Sequence, residues 1–217
     1  LETVEAVGKH LFYRWEGGPI LHVHLGLFGK FRTHRGIAPP PTEATRLAMA
    51  ADGITVYLAG PTDCSLIGPE EEEAIRARLG PDPLRVGGRG AGPFRENLSR
   101  RTIAIGAALL DQKVVAGVGN VYRAEVLFLT GIHPTIRARD LDAGTADSLY
   151  DALTDQLRLG RKMGRIVTVD PAEFGAANRR SLRKDERLYV YHRDGLPCRR
   201  CGTEILTWEM ANRSIWA

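Results

Sequence analysis

The most informative part of the chain is DQKVVAGVGNVYRAEVLF, which runs from Asp111 to Phe128. Gly117 and Gly119 lie directly before the helix that the apolar spacing predicts from Val121, and glycines there allow backbone amides to turn outward. Outward-facing amides at a helix start form an anion-binding geometry. The same pattern is also typical of an ordinary helix–helix turn with Asn120 as the N-cap. The surrounding sequence must therefore distinguish an anion site from a simple turn.

Hydrophobic spacing divides the chain into three parts. It alternates as in β-strands up to about Gly60, becomes helical after the glycine-rich segment Gly87–Pro93, and returns to strands from about Ile166. We predict that Gly87–Pro93 is a flexible boundary. The predicted elements are strands Leu11–Trp15, Ile20–Leu25, Arg46–Ala50 and Ile54–Ala59, helices from Pro69 and over Phe94–Arg100, Ile103–Leu110, Val121–Leu129 and Gly144–Arg161, and strands Leu188–Tyr191, Glu204–Trp208 and Ser214–Trp216.

Composition and charge narrow the class of protein. The chain has 217 residues, of which 43% are hydrophobic and 26% charged, which is typical of a globular protein and excludes collagen, coiled coil and disorder. Eight basic and three acidic residues between Arg179 and Arg200 give that segment a net charge of +5. The whole chain carries +4, so the positive charge is concentrated in this segment. With no run near the ~18 apolar residues of a membrane span and no signal peptide, we expect a soluble cytoplasmic protein.

Asp111–Phe128, with the following Gly131-Ile132-His133-Pro134, resembles the helix-two-turn-helix of the formamidopyrimidine-DNA glycosylase and endonuclease VIII family. Two features favour the endonuclease VIII branch of this family. They are the motif Tyr-His-Arg-Asp-Gly, which starts at Tyr191, and the loop at Gly26-Leu27-Phe28. Further matches are the loop lysine and strand at Val7–Leu11, the strand and void-filling loop at His22–Gly29, the linker at Leu79–Leu84, and the start of the zinc ribbon at Tyr191–Gly202.

The resemblance implies an α+β fold in which an N-terminal β-sandwich, incomplete at its start, precedes a helix-two-turn-helix domain with a C-terminal zinc-ribbon-like β-hairpin, incomplete at its end. The expected boundaries are residues 1–86 for the sandwich, 87–93 for a linker, 94–165 for the helical domain and 166–217 for the basic loop and hairpin. The implied activity is that of a bifunctional DNA glycosylase and AP lyase of base-excision repair. Such an enzyme removes oxidised bases, pyrimidines in the endonuclease VIII branch, and cleaves the abasic strand by β/δ-elimination.

The implied partner is double-stranded DNA that contains an oxidised base or an abasic site, and we expect a monomer without a membrane partner. Lys9 is the candidate catalytic residue, as an amine or a proton donor, because base excision needs an amine that attacks the sugar C1′ and a group that moves protons. Its alternative is an ordinary surface lysine at a strand start.

Six residues are candidates for DNA binding. The charges of Lys113 and Arg123 and the amide of Asn120 suit phosphate oxygens, although both charges could also be solvated helix residues. Leu27 and Phe28, in a loop between glycines, could fill the gap left by an extruded nucleotide or could pack in the core at a strand end. By resemblance, Arg213 lies at the tip of the zinc hairpin and reaches a phosphate.

Histidine and cysteine complete the candidate sites. His22 and His24 alternate on one strand and share a face, where we expect packing or hydrogen bonding and no metal. Cys198 and Cys201 form a CxxC motif that supplies two of the four ligands of a structural zinc ion. We expect Cys64 to be a structural or incidental thiol.

Three features depart from the family pattern. The family's nucleophile is the α-amine of an N-terminal proline with a glutamate beside it, and neither is present, which we interpret as loss of the start from the recorded chain. The chain also stops where the third zinc ligand would fall. The segment Thr62–Ser65 lacks the arginine and the aromatic residue that probe the opposite base, so opposite-base discrimination should be weak.

Two other functions stay open at this point. The first is a non-catalytic protein that binds damaged DNA, in which the missing proline is real. The second is a ribosome- or RNA-associated protein, because helix-two-turn-helix units and zinc ribbons also serve RNA. The basic segment Arg179–Arg200 suits all three functions, since phosphate binding is largely independent of sequence.

Overall fold

The computed structural model describes residues 1–217. The chain divides into two compact units, residues 1–78 and residues 79–217. None of its helices combines the length and the apolar composition needed to cross a bilayer.

The first unit contains seven strands: β1 Thr3–Val7, β2 His10–Arg14, β3 Ile20–His24, β4 Lys30–Arg35, β5 Thr45–Ala51, β6 Ile54–Ala59 and β7 Asp63–Ile67. They form two antiparallel sheets with the orders β1-β2-β3-β7 and β4-β6-β5. Tyr13, Leu21 and Val23 of the first sheet pack with Leu58 of the second in one apolar core. The unit is therefore a β-sandwich. The four strands predicted in this part of the chain are confirmed, and they pair as the hairpins β2–β3 and β5–β6.

Helix α1, Pro69–Ala77, packs on the first sheet through charged side chains. Alternation along β2 turns Leu11 and Tyr13 toward the sandwich core and Phe12 toward the opposite face. There the Arg76 guanidinium lies 4.8 Å from the centroid of the Phe12 ring, and the buried Glu72 carboxylate pairs with Arg76 and Arg14. The helix begins at Pro69, as predicted, and Glu71 accepts a hydrogen bond from the Gly68 amide.

The second unit is mainly helical. Its helices are α2 Pro83–Val86, α3 Ala91–Ser99, α4 Ile105–Ala108, α5 Asn120–Thr130 and α6 Ala143–Met163. Helix α6 is the central element: Asp142 caps its start, Gly164 ends it at a φ of +65°, and Leu149, Tyr150 and Leu153 are buried in the main core. The core also contains Phe94, Ile105, Leu109, Val114, Val118, Val126 and Leu127.

The glycine-rich segment 87–93, which we predicted to be a flexible boundary, lies inside the second unit and has regular structure. Residues Gly87–Gly90 form a 3-10 turn, and α3 begins at Ala91. A Cβ atom on Gly90 would lie 1.9 Å from the Tyr150 hydroxyl, so glycine allows this turn to pack closely against α6. The chain divides into its compact units after Arg78, ahead of this segment.

The predicted strand Leu188–Tyr191 is wrong. These residues form an irregular segment because the amides of Tyr189, Val190 and Tyr191 donate to the Glu125 carboxylate instead of a neighbouring strand. The last predicted strand is confirmed: β8, Thr207–Glu209, pairs with β9, Ser214–Trp216, in an antiparallel hairpin.

Candidate nucleic-acid interface

The loop before α5 is held by one side chain. The Gln112 carboxamide donates from Nε2 to the carbonyls of Leu110 and Val118, both at 3.1 Å, and its Oε1 accepts from the Gly117 amide at 2.9 Å. Gly117 has a φ of +89°, a conformation that favours glycine. Val118 is fully buried, so the loop is anchored by packing as well as by hydrogen bonds.

Helix α5 starts without a side-chain cap. Gly119 is the N-cap in an extended conformation, and Asn120 is the first helical residue, so the alternative of Asn120 as N-cap is wrong. The first amides of an α-helix have no intrahelical acceptor and carry the positive end of the helix dipole. The α5 start thus offers backbone donors to an anion, which favours the anion-binding interpretation over the simple turn.

Lys113 lies in the same loop with its side chain exposed. Its backbone is fixed on both sides, because its amide donates to Asp111 Oδ1 at 2.9 Å and its carbonyl accepts from Asn97 Nδ2 at 3.1 Å. No carboxylate pairs with its ammonium. A fixed backbone with an unpaired, exposed cation is a suitable arrangement for a phosphate contact.

Arg123 does not occupy the position that the sequence predicted. Its side chain is fully buried, and the guanidinium donates to the carbonyls of Gly106 at 3.3 Å, Met210 at 3.2 Å and Ser214 at 2.9 Å. Burial, and then the nearby charge of Arg213, lower the pKa of Arg123 to about 10, so the group stays charged at neutral pH. The prediction that Arg123 contacts a phosphate is therefore wrong, and Arg123 is an internal residue of the interface.

The β8–β9 hairpin brings Arg213 to the same region. Ala211 and Asn212 form its tight turn with φ values of +56° and +57°, and the Met210 amide donates to the Arg213 carbonyl at 2.9 Å. Arg213 is half-buried and pairs with no carboxylate. The Asn120 amide also contacts this hairpin, since its Nδ2 donates to the Ser214 carbonyl at 3.0 Å.

In the first unit, Leu27 and Phe28 lie in the loop between β3 and β4. Their side chains are 65% and 85% exposed, so the alternative of core residues at a strand end is wrong. The loop is tightly closed: a Cβ on Gly26 would lie 1.8 Å from Thr62 Oγ1, and one on Gly29 would lie 2.3 Å from the Leu25 carbonyl oxygen. The two glycines allow a short loop that presents two apolar side chains to solvent.

Lys9 occupies the two-residue turn between β1 and β2, and Gly8 before it has a φ of +57°. Its charge lies close enough to His24 to lower the pKa of that imidazole, after the larger effect of burial. Of the two roles predicted for His22 and His24, packing or hydrogen bonding, the structure shows hydrogen bonding: Gly26 donates to His24 Nδ1, and His22 Nε2 lies 2.8 Å from His10 Nδ1.

His10 is a member of this cluster that the sequence did not single out. It is the cross-strand neighbour of His24, and burial, followed by the charges of His24 and His22, lowers its pKa to about 4. His22 Nδ1 lies 3.2 Å from Asp63 Oδ2, so Asp63 is the nearest counter-charge of the cluster. Period-two spacing places His10 on the same face of the sheet as its partners, but only the strand register could reveal the contact.

Glu125 is a second residue that the sequence did not single out. Its fully buried carboxylate accepts hydrogen bonds from the amides of Tyr189, Val190 and Tyr191, each at 2.8 Å, and from the Thr168 hydroxyl. It therefore ties α5 to the basic segment Arg179–Arg200. In that segment Arg183 pairs with Glu186 and Arg200 with Glu173, whereas Arg179 and Arg180 pair with no carboxylate.

The CxxC motif forms a tight knuckle in which the Gly202 amide donates to the Cys198 carbonyl at 2.9 Å. Both cysteines are free, and the chain contains no group of three or more His, Cys, Asp or Glu side chains that could hold a metal ion. The CxxC motif therefore offers two thiols, and the residues around it do not complete the four-ligand site that structural zinc requires.

Comparison with known proteins agrees with this arrangement. Residues 79–171 match the family model of the formamidopyrimidine-DNA glycosylase H2TH domain. Endonuclease 8 1 of Mycobacterium tuberculosis is 40% identical over 221 residues, which cover 100% of this chain and 81% of that protein. Formamidopyrimidine-DNA glycosylase of Thermus thermophilus is 34% identical, over 97% of this chain and 78% of that protein.

A similar solved structure is Lactococcus lactis formamidopyrimidine-DNA glycosylase bound non-covalently to DNA with an AP site. It superposes with a TM-score of 0.80 at 27% identity, and the match covers 99% of this chain and 78% of that one. A sandwich followed by a helix-two-turn-helix unit thus defines a class of DNA-repair folds. This chain belongs to the formamidopyrimidine-DNA glycosylase and endonuclease VIII family. The predicted resemblance to its endonuclease VIII branch is confirmed by the mycobacterial relative.

Proposed function

We infer that the chain is a base-excision-repair DNA glycosylase with AP lyase activity. It removes oxidised bases from double-stranded DNA and cleaves the abasic strand by β/δ-elimination. The observation that carries this function is the uncapped start of α5, with Asn120 and Lys113 beside it, in a chain whose relatives are named endonuclease 8 and formamidopyrimidine-DNA glycosylase. Its partner is duplex DNA that contains an oxidised base or an abasic site.

Phosphate contacts would hold the damaged strand in place. The first amides of α5, the Asn120 amide, the Lys113 ammonium and the Arg213 guanidinium supply donors for phosphate oxygens. These contacts are insensitive to sequence, which suits an enzyme that must find lesions in any context. The finer division of residues 79–217 into a helical part, 94–165, and a basic part with the hairpin, 166–217, belongs to the same proposal.

Leu27 and Phe28 would replace the extruded nucleotide in the base stack. Extrusion of a base costs a few kcal/mol of stacking and pairing, which apolar side chains inserted into the gap offset in part. The exposure of both side chains on a closed loop supports this role. Because Thr62–Ser65 offers neither an arginine nor an aromatic ring, we expect little discrimination of the opposite base.

The covalent step requires an unprotonated amine. The amine attacks the sugar C1′, and the C1′–N bond to the base breaks as the base takes up a proton. The C1′–O4′ bond then opens, the proton lost from the amine goes to O4′, and an imine remains at C1′. Loss of a C2′ proton from this imine eliminates the 3′ phosphate. We propose Lys9 as an amine or a proton donor in this sequence of steps, supported by its place in a tight turn beside His24. Cys198 and Cys201 would hold a structural zinc ion together with further ligands, and no step depends on that ion.

Borohydride trapping on abasic-site duplex tests the function. Borohydride reduces the imine between enzyme and DNA to a stable cross-link, and peptide mapping then identifies the amine. We expect a cross-link and strand cleavage in the parent, and a cross-link at Lys9 would make that residue the nucleophile. A cross-link at another amine would mean that Lys9 is not the nucleophile. Lys9 would then act as a proton donor, and Lys9→Ala should slow strand cleavage.

A binding-only protein would behave differently in the same assay. Tight binding to abasic duplex without any cross-link or cleavage would refute the enzyme and leave a lesion-binding protein. A second assay compares duplexes that contain an oxidised thymine or an oxidised guanine. We expect faster release of the oxidised pyrimidine, in line with the endonuclease VIII branch.

A further inference from the structure

The β8–β9 hairpin is too small to hold its own conformation. Each strand has three residues, and isolated two-stranded hairpins are marginal in water. Its turn residues Ala211 and Asn212 both have positive φ values without being glycine, which adds a conformational cost. Contacts with the rest of residues 79–217 must therefore fix the position of Arg213.

Ile215 and Trp216 anchor the strand β9 in apolar cores, and Arg123 supplies the polar contacts on both sides of the turn. Its guanidinium donates to the carbonyls of Met210 and Ser214, the residues that flank the turn Ala211–Arg213 on either side. A third hydrogen bond, to the Gly106 carbonyl, joins the same group to α4. Gly106 itself lies against the hairpin, since a Cβ atom there would come within 2.8 Å of Met210 Sδ.

The Ser214 carbonyl links this arrangement to α5 a second time. It accepts from Asn120 Nδ2 at 3.0 Å as well as from Arg123 Nη2 at 2.9 Å. Two proposed phosphate ligands, Asn120 and Arg213, are thus set relative to each other by one shared carbonyl and one buried cation. A planar guanidinium with fixed donors suits this bridging task better than a flexible ammonium.

We propose that Arg123 is a positioning residue that holds the hairpin so that Arg213 and the Asn120 amide bind the same damaged strand. The inference rests on the proposed function, because it assigns Arg213 to a phosphate. Arg123 touches no DNA and acts through the three carbonyls that it binds. The like charge of Arg213 beside it also favours an anion at the hairpin tip, because a phosphate would relieve the repulsion between the two cations.

The test measures binding to a duplex with a tetrahydrofuran abasic analogue over a range of salt concentrations. Arg213→Ala should weaken binding about tenfold and reduce the slope of log K against log salt by about 0.9, the loss of one phosphate contact. Arg123→Met should produce the same two changes, and the double variant should be no weaker than either single variant. Arg100→Met, which removes an exposed arginine at the C-cap of α3, is the matched control and should behave like the parent.

Three results would overturn the proposal. The first is parental affinity and salt slope in Arg123→Met. The second is additive losses in the double variant, which would mean that Arg123 and Arg213 act independently. The third is full recovery of binding by Arg123→Lys, because restored charge alone would then suffice and the geometry of the three hydrogen bonds would be irrelevant.

A second measurement covers the case in which Arg123→Met does not fold. Hydrogen–deuterium exchange compares the parent with Arg123→Lys, which keeps a cation in the same place. We expect faster exchange of residues 207–216 in the variant with unchanged exchange in α6; equal exchange throughout would contradict the proposal. Strand cleavage by the parent is measured in parallel. A parent that binds the duplex but never cleaves it would refute the proposed enzymatic function. The binding data would still decide whether Arg123 positions the hairpin.

Discussion

Replacement of Glu125 by glutamine should strongly destabilise residues 79–217. The carboxylate accepts from Val190 and Tyr191 through Oε1, and from Tyr189 and the Thr168 hydroxyl through Oε2. A carboxamide of the same shape keeps one oxygen and presents an NH2 group in place of the other. Two buried donors then lose their acceptor and face a third donor instead.

The expected loss follows from the number of hydrogen bonds. Hydrogen bonds to a charged group contribute about 1.5–3 kcal/mol each, so two lost bonds correspond to about 3–6 kcal/mol. Removal of the buried charge lowers its desolvation cost and offsets part of that loss. We therefore expect a decrease of about 3 kcal/mol in the free energy of unfolding, a large fraction of the ~5–15 kcal/mol typical of a domain.

Urea unfolding followed by tryptophan fluorescence measures this change. In a Trp15→Phe background the signal comes from Trp208 and Trp216 alone, both in the second unit. Thr168→Val removes one hydroxyl donor and should cost about 1–2 kcal/mol. Glu96→Gln, at an exposed pair with Arg100, is the control and should cost under about 0.5 kcal/mol. A loss below 1 kcal/mol for Glu125→Gln would refute the assigned role of the carboxylate.

Three further predictions concern the proposed DNA contacts and the histidine cluster. Phe28→Ala should leave the melting temperature unchanged, because the ring is 85% exposed, and should slow cleavage of lesion duplex; a lower melting temperature with unchanged cleavage would indicate a core role. Lys113→Ala should reduce the salt slope of binding to damaged and undamaged duplex alike by about 0.9, and an unchanged slope would exclude a phosphate contact. The folded state keeps His10 neutral down to about pH 4, so the free energy of unfolding of residues 1–78 should fall as the pH drops from about 6.5 toward 4. Urea unfolding followed by Trp15 fluorescence should show a weaker pH dependence for His10→Gln than for the parent. Identical pH profiles would show that His10 is not the cause.

Elements set by local chemistry could be predicted from the sequence. Helix α6 needs only Asp142 to accept the Thr145 amide at one end and Gly164 at a positive φ at the other. The turn at Asp52-Gly53 likewise requires two positive φ values that these residues tolerate. The loop that exposes Leu27 and Phe28 depends on glycines close to it in sequence.

Contacts between distant segments could not be predicted in this way. The glycines at 87–93 suggested flexibility. In the structure, Gly90 is needed because a Cβ atom there would clash with the hydroxyl of Tyr150, which lies 60 positions further along the chain. The alternating residues Leu188–Tyr191 suggested a strand, yet their amides bind Glu125. In both cases the local pattern was compatible with two structures, and a partner remote in sequence selected one of them.

The sequence by itself determined the class of fold, the succession of a β part, a helical part and a final β-hairpin, and the glycine-dependent start of α5, because each depends on neighbours along the chain. The tertiary structure alone decided which charges face solvent. Arg123 and Lys113 are both cations beside the same helix start, and no local rule separates them. Arg123 is buried because the carbonyls of Met210 and Ser214, 87 and 91 residues away, satisfy its donors, and burial of a charge is stable only where such acceptors converge.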